Sequence, residues 1–174
     1  MDLEALIRDC GFPFVGRFDA SHLEFREDVR AMCAADKCHS YDKSWSCPPA
    51  CGSVAHYREA LRRYTDGYLF QTVVQMEDAF DYFAIERGGK EHAQRLAALQ
   101  SRIQAAGCDA LLLGAGACTL CAVCTYPDAP CCHPDEALIS MEATGLLVSE
   151  VCDLAKLPYY HGKDTLAFCS CALV

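Results

Sequence analysis

Sulfur constrains this chain more than any other feature: fourteen cysteines fall within 174 residues, most of them in two short bursts. The first runs Cys33-x4-Cys38-x8-Cys47-Pro48-Pro49-x-Cys51, and the second Cys118-x2-Cys121-x2-Cys124-x6-Cys131-Cys132. Whatever the fold, it must deliver two loops that each carry enough thiolates for one metal centre. Disulfide cross-links are the competing use of so much sulfur. Yet Met1-Asp2-Leu3-Glu4 has neither the basic stretch nor the apolar run of a secretory signal. A chain of this length with 52% hydrophobic residues can also bury a core without staples. The thiols are therefore expected to be cytoplasmic and mostly metal-bound.

Both zinc and iron–sulfur clusters take four cysteines, and spacing separates them in part. Zinc sites pair two Cys-x2-Cys units across a long insertion, closing one tetrahedron from two hairpins. Cys118, Cys121 and Cys124 follow one another at two-residue gaps, the run that wraps one side of a [4Fe–4S] cubane while a more distant cysteine takes the fourth iron. Spacing alone leaves that fourth ligand open between Cys131 and Cys132. In the first burst the gaps of four, eight and three specify no single metal. Cys47-Pro48-Pro49 resembles the Cys-Pro of ferredoxin loops, and Cys51 follows within one turn, so a second [4Fe–4S] cluster and a zinc site both stay open.

Longer stretches around these cysteines carry a family resemblance. In the first half they are Val29-Arg30-x2-Cys33, Lys37-Cys38-x2-Tyr41, Trp45-x-Cys47-Pro48-Pro49 and Gly52. In the second half they are Gly114-Ala115-Gly116-x-Cys118-x2-Cys121-x2-Cys124-Thr125-Tyr126-Pro127-x2-Pro130-Cys131 and Ser140-Met141-Glu142-Ala143-x-Gly145. Together they resemble the domain of unknown function 2284 family, labelled predicted metal-binding protein, over nearly the whole chain. The resemblance implies metal or iron–sulfur binding without a defined reaction. It also implies a ligand set of Cys33, Cys38 and Cys47, then Cys118, Cys121, Cys124 and Cys131. Cys132 stands where the family has Arg, and Cys51 where a small apolar residue is expected; Cys51 is nevertheless read as a ligand from its own position.

Composition narrows the partners. A net charge of −9 supplies no basic patch to release counterions, which argues against nucleic acid and anionic membrane surfaces. No stretch reaches the roughly 18 unbroken apolar residues of a membrane span. A redox partner protein is the expected contact. The expected function is that of an iron–sulfur protein with two [4Fe–4S] clusters, in electron transfer or as part of a larger redox reaction. A zinc-stabilised interaction module and an enzyme using an incompletely ligated cluster as a Lewis acid are the alternatives.

No Pro/Gly/Ser-rich linker divides the chain, so residues 1–174 read as one α/β domain with cysteine loops at 33–51 and 118–132. Expected elements are a strand over 12–18, a helix over 23–32, a helix capped by Ser53 and ended by Gly67, and a strand over 70–76. A helix lined by Leu96, Leu99, Ile103 and Ala106 then leads into the apolar strand Ala110–Leu113. That β-α-β unit is most simply two parallel strands with a crossover, so the sheet is expected to be mixed or mostly parallel with flanking helices. The second cysteine loop then starts at the C-terminal end of a buried strand, where open α/β sheets place ligands. A helix from Pro134 to Gly145, a strand over 146–148, a helix over 150–157 and a strand over 165–173 complete the expectation.

Among the remaining candidates, Cys10, Cys108, Cys152, Cys169 and Cys171 read as core thiols, the last two on one face of the final strand. His39 and His133 adjoin cluster cysteines and read as capping or surface residues. Tyr41, Trp45 and Tyr126 are expected to shield a cluster from water. Glu142 is balanced between a cluster-loop or acid–base role and a solvated helix face.

Overall fold

A computed structural model describes residues 2–174. The chain runs α1 (Leu3–Asp9), β1 (Phe14–Asp19), α2 (Glu27–Ala34), α3 (Val54–Ala60), β2 (Asp66–Gln75), α4 (Tyr82–Ala105), β3 (Leu111–Leu113), α5 (Met141–Thr144), α6 (Val148–Leu154) and β4 (Thr165–Leu173), with short 3-10 turns at 20–22 and 61–63. The strands form one sheet in the order β1-β2-β4-β3. Its two faces are buried under different helices. One apolar cluster packs α3, α5 and α6 against Leu69, Leu113, Cys169, Cys171 and Leu173; the other packs α1 and α4 against Val15, Phe70, Leu112 and Ala172. Alternate residues of one strand thus enter opposite cores, as the two-residue period of a strand requires. Each fully buried Leu or Phe contributes about 1.5–3 kcal/mol.

Every pairing in this sheet is antiparallel, which corrects the mixed or mostly parallel sheet expected from sequence. β4 lies antiparallel to both β2 and β3, so those two strands point the same way across the α4 crossover without touching. The reason is ladder length. β4 pairs with β2 from Gly67↔Leu173 to Gln75↔Thr165, whereas β3 offers only three residues to any partner. The unbroken apolar run of β3 reflects helices on both faces of the sheet, a condition that parallel strands usually meet but do not own.

α4 starts where the Asp81 side chain accepts from Ala84 N at 3.0 Å. It buries Ala84, Gly88, His92, Leu96, Leu99 and Ile103, a stripe at spacings of three and four. Gly88 lets it lie close on the sheet, since a Cβ there would stand 2.7 Å from both Val74 methyl carbons.

Two further expectations change. No helix runs from Pro134; residues 134–136 form a turn, and Gly114 N then donates to Ile139 O at 2.8 Å, which holds the next residues extended beside the end of β3. Only Met141–Thr144 is helical. The strand expected over 146–148 is reduced to a single bridge between Leu146 and Phe25, because Val148 already opens α6. Among the described residues no helix is long and apolar enough to cross a membrane.

Candidate metal centres

The first cysteine loop leaves the end of α2. Cys33 sits in its last turn, one helical step beyond Arg30, so both side chains leave the same face. Backbone strain shapes the segment beyond the helix: Asp36, His39 and Asp42 all adopt left-handed φ values of 49°, 58° and 55°. Asp and His tolerate that region better than most residues. Asp36 Oδ1 accepts from Tyr41 N at 2.9 Å, and Asp42 N donates to Pro48 O at 2.7 Å. Cys51 N donates to Cys47 O at 3.1 Å, closing one turn that gathers two thiols which are both only 8% exposed. Cys33 is half-buried and Cys38 exposed.

Four thiols, one cation and one carboxylate feel one another here. Burial pushes the Cys33 thiol up, the Glu142 charge adds to that, and Arg30 opposes it; Cys38 and Cys51 contribute in turn. Burial likewise raises Cys51, again against Arg30, and raises Cys47, there opposed by a hydrogen bond from Ser46. The Arg30 guanidinium is fixed by the carbonyls of Ala143 and Gly52, the latter at 2.6 Å. Tyr57 O–H donates to Cys51 O, and its own pKa is pushed up to about 12 by burial and the neighbouring Cys51 charge.

Gly145 helps hold this arrangement. It ends α5 at φ 95°, and its carbonyl accepts from Arg26 N at 2.9 Å, tying α5 to the start of α2. Glu142 is thereby half-buried beside Cys33 rather than on a solvated face.

The second loop begins just past β3, and Cys118, Cys121, Cys124, Cys131 and Cys132 all line one cavity of about 220 Å³. Donors point at its sulfurs. The amides of Tyr126 and Trp45 lead the groups that hold the Cys124 thiol low, with Ser44 and the Thr125 amide assisting. His133 N donates to Cys131 Sγ at 3.4 Å. Such N–H···S bonds favour the thiolate, the form that binds metal. Desolvation and the adjacent Cys132 thiol push Cys121 up, so Cys132 is a fifth sulfur within the same ring. His39 and His133 also line this cavity.

Although distant in sequence, the two loops interlock. Trp45 Nε1 donates to Ala129 O at 3.0 Å, Trp45 meets Tyr126 edge-on at 4.9 Å, and Tyr126 O–H donates to Asp42 Oδ1 at 2.6 Å. Trp45 lines the cavity, whereas Tyr126 serves as the latch between loops.

The eight cysteines named from sequence therefore fall into two neighbouring groups, with Cys51 inside the first and Cys132 beside the second. The residues missed were Arg30, Ser44 and Ser46. Arg30 was signalled by its spacing from Cys33; the serines had no signal, since the Cys118 amide that donates to Ser46 comes from the other loop. Cys152, Cys169 and Cys171 lie in the core, where Gln71 Nε2 donates to Cys152 Sγ at 3.6 Å and Cys169 Sγ at 3.4 Å. Among the described residues, no group of three or more His, Cys, Asp or Glu side chains is arranged to hold a single metal ion.

The family model described as predicted metal-binding protein (DUF2284) matches residues 16–174, and the chain belongs to that family. No curated protein and no solved structure matches it.

Proposed function

Starting from that membership in a predicted metal-binding family, we propose that this is an iron–sulfur protein whose two cysteine loops each hold a [4Fe–4S] cluster and which passes single electrons to a redox partner protein. The observation that carries the reading is the second loop: five cysteines lining a cavity of about 220 Å³, with the His133 amide donating to Cys131. A single zinc ion draws its thiolates in to about 2.3 Å from one point. A ring of sulfurs around an open volume suits a larger inorganic group with separate irons, and the donor set is all soft sulfur.

Cys118, Cys121, Cys124 and Cys131 would hold the second cluster; Cys33, Cys38, Cys47 and Cys51 would hold the first. Such clusters supply reversible one-electron storage. The chain's own groups set how that charge is accommodated: Arg30 offers positive charge beside Cys33 and Cys51, Glu142 opposes it, and N–H donors favour the more negative state at Cys124 and Cys131. The net charge of −9 favours a partner with a basic docking face. A reducing, cytoplasmic location keeps the free thiols available for metal.

The test is anaerobic purification followed by iron, sulfide and zinc analysis. The reading expects brown protein absorbing broadly near 400 nm, with iron and sulfide in equal amounts. Colourless protein carrying stoichiometric zinc would overturn it.

A further inference from the structure

Three consecutive residues, Ser44-Trp45-Ser46, face both sulfur groups at once. Ser46 Oγ accepts from Cys118 N at 3.3 Å and lies 4.0 Å from Cys47 Sγ. One hydroxyl thus separates a first-loop thiol from the second-loop backbone, and the sulfur and that amide nitrogen lie no further apart than those two distances end to end. Ser46 Oγ also meets Ser44 Oγ at 3.0 Å, and Ser46 N donates to Ser44 Oγ at 3.3 Å. Ser44, Trp45 and Ser46 line the same cavity as Cys118 and Cys124. Ser44 and Ser46 are 7% and 5% exposed, so little water screens the contacts.

This wall is directional. Ser46 Oγ accepts the Cys118 amide proton, while the hydroxyl protons of Ser44 and Ser46 are shared between the contact of the two oxygens and the neighbouring Cys47 sulfur.

We propose that the two cysteine centres form one coupled redox pair, with Ser44-Trp45-Ser46 as the shared wall through which the state of one centre is felt at the other. The inference rests on the iron–sulfur reading. The step is an electron moving from the reduced centre to the oxidised one: one loses a single electron, the other gains it, and no covalent bond or proton changes hands. An external one-electron reductant loads the pair.

The experiment uses the anaerobically purified full chain, reduced in steps with dithionite and followed by electron paramagnetic resonance, in wild type and Ser46→Ala. Coupling predicts that fully reduced wild type gives a broadened spectrum that is not the sum of two isolated centres. It also predicts that the variant, with iron and sulfide retained, shifts in potential at both centres: downward at the Cys47 centre, which loses a hydroxyl donor, and upward at the second, where the Cys118 amide is released. The wild-type spectrum stands by itself if Ser46→Ala does not fold. An additive wild-type spectrum, or a variant in which only the Cys47 centre shifts, overturns the coupling while leaving two clusters in place. Protein without iron and sulfide overturns the iron–sulfur reading and the coupling together.

Discussion

His92 makes the stability of this fold depend on pH in a way the metal centres do not explain. The imidazole is 3% exposed between α4 and the sheet, with Nδ1 3.0 Å from Thr72 Oγ1 and Nε2 2.8 Å from Ser170 Oγ. The rings of Phe12 and Phe168 flank it, and Arg95 Nη1 donates to the same Thr72 hydroxyl at 3.1 Å. Burial first, and the Arg95 charge second, depress its pKa from the ordinary 6.5 to about 4. A proton therefore binds the unfolded chain more readily than the folded one. The neutral ring's contribution is fully present above pH 6.5 and is lost progressively as pH falls towards 4. At about 1.4 kcal/mol per pH unit, the loss is on the order of 3 kcal/mol. His92→Gln keeps hydrogen-bonding capacity and removes the titration. Urea unfolding of both proteins, followed by circular dichroism from pH 7.5 to 4, gives the difference in stability at each pH, and changes common to both, including loss of metal in acid, cancel. Wild type should lose about 3 kcal/mol relative to the variant over that interval. A difference that stays flat would refute the buried neutral imidazole.

Replacing Cys131 by Ala should lose the second cluster or convert it to a three-iron form, whereas Cys132→Ala should keep it, because the His133 amide is directed at Cys131 and Cys132 is exposed; iron content and electron paramagnetic resonance distinguish the two. Cys51→Ala should open the first centre to exogenous thiol or cyanide and raise its oxygen sensitivity, since Cys51 is buried beside Cys47 and Arg30; unchanged spectra and ligand binding would make Cys51 a bystander. Gly145→Ala should cost about 1–3 kcal/mol in a denaturant titration, because the position has φ 95° and a Cβ there would stand 2.9 Å from Arg26 O.

The sequence alone marked the two cysteine loops. Cysteine spacing marks the two loops whatever the fold, because a metal loop draws its ligands from one short stretch. Local rules also reached Thr165–Leu173 as a strand, and the Ser53 cap that accepts from His56 N. These are interactions within a few residues, where periodicity and side-chain chemistry suffice. The tertiary structure decided the rest. β4 enters between β2 and β3 because a nine-residue ladder outweighs a three-residue one, and strand patterning is silent on which neighbour a strand will choose. The helix signal at Pro134 was overruled when Ile139 was recruited beside Gly114. Glu142 gained a place beside Cys33 only because Gly145 bonds to the start of α2. Ser44 and Ser46 acquired their role from Cys118 and Cys124, more than seventy residues away. Cysteine spacing is local and is written in the chain, but how closely the two cysteine loops approach is a packing outcome, set by which surfaces exclude water together.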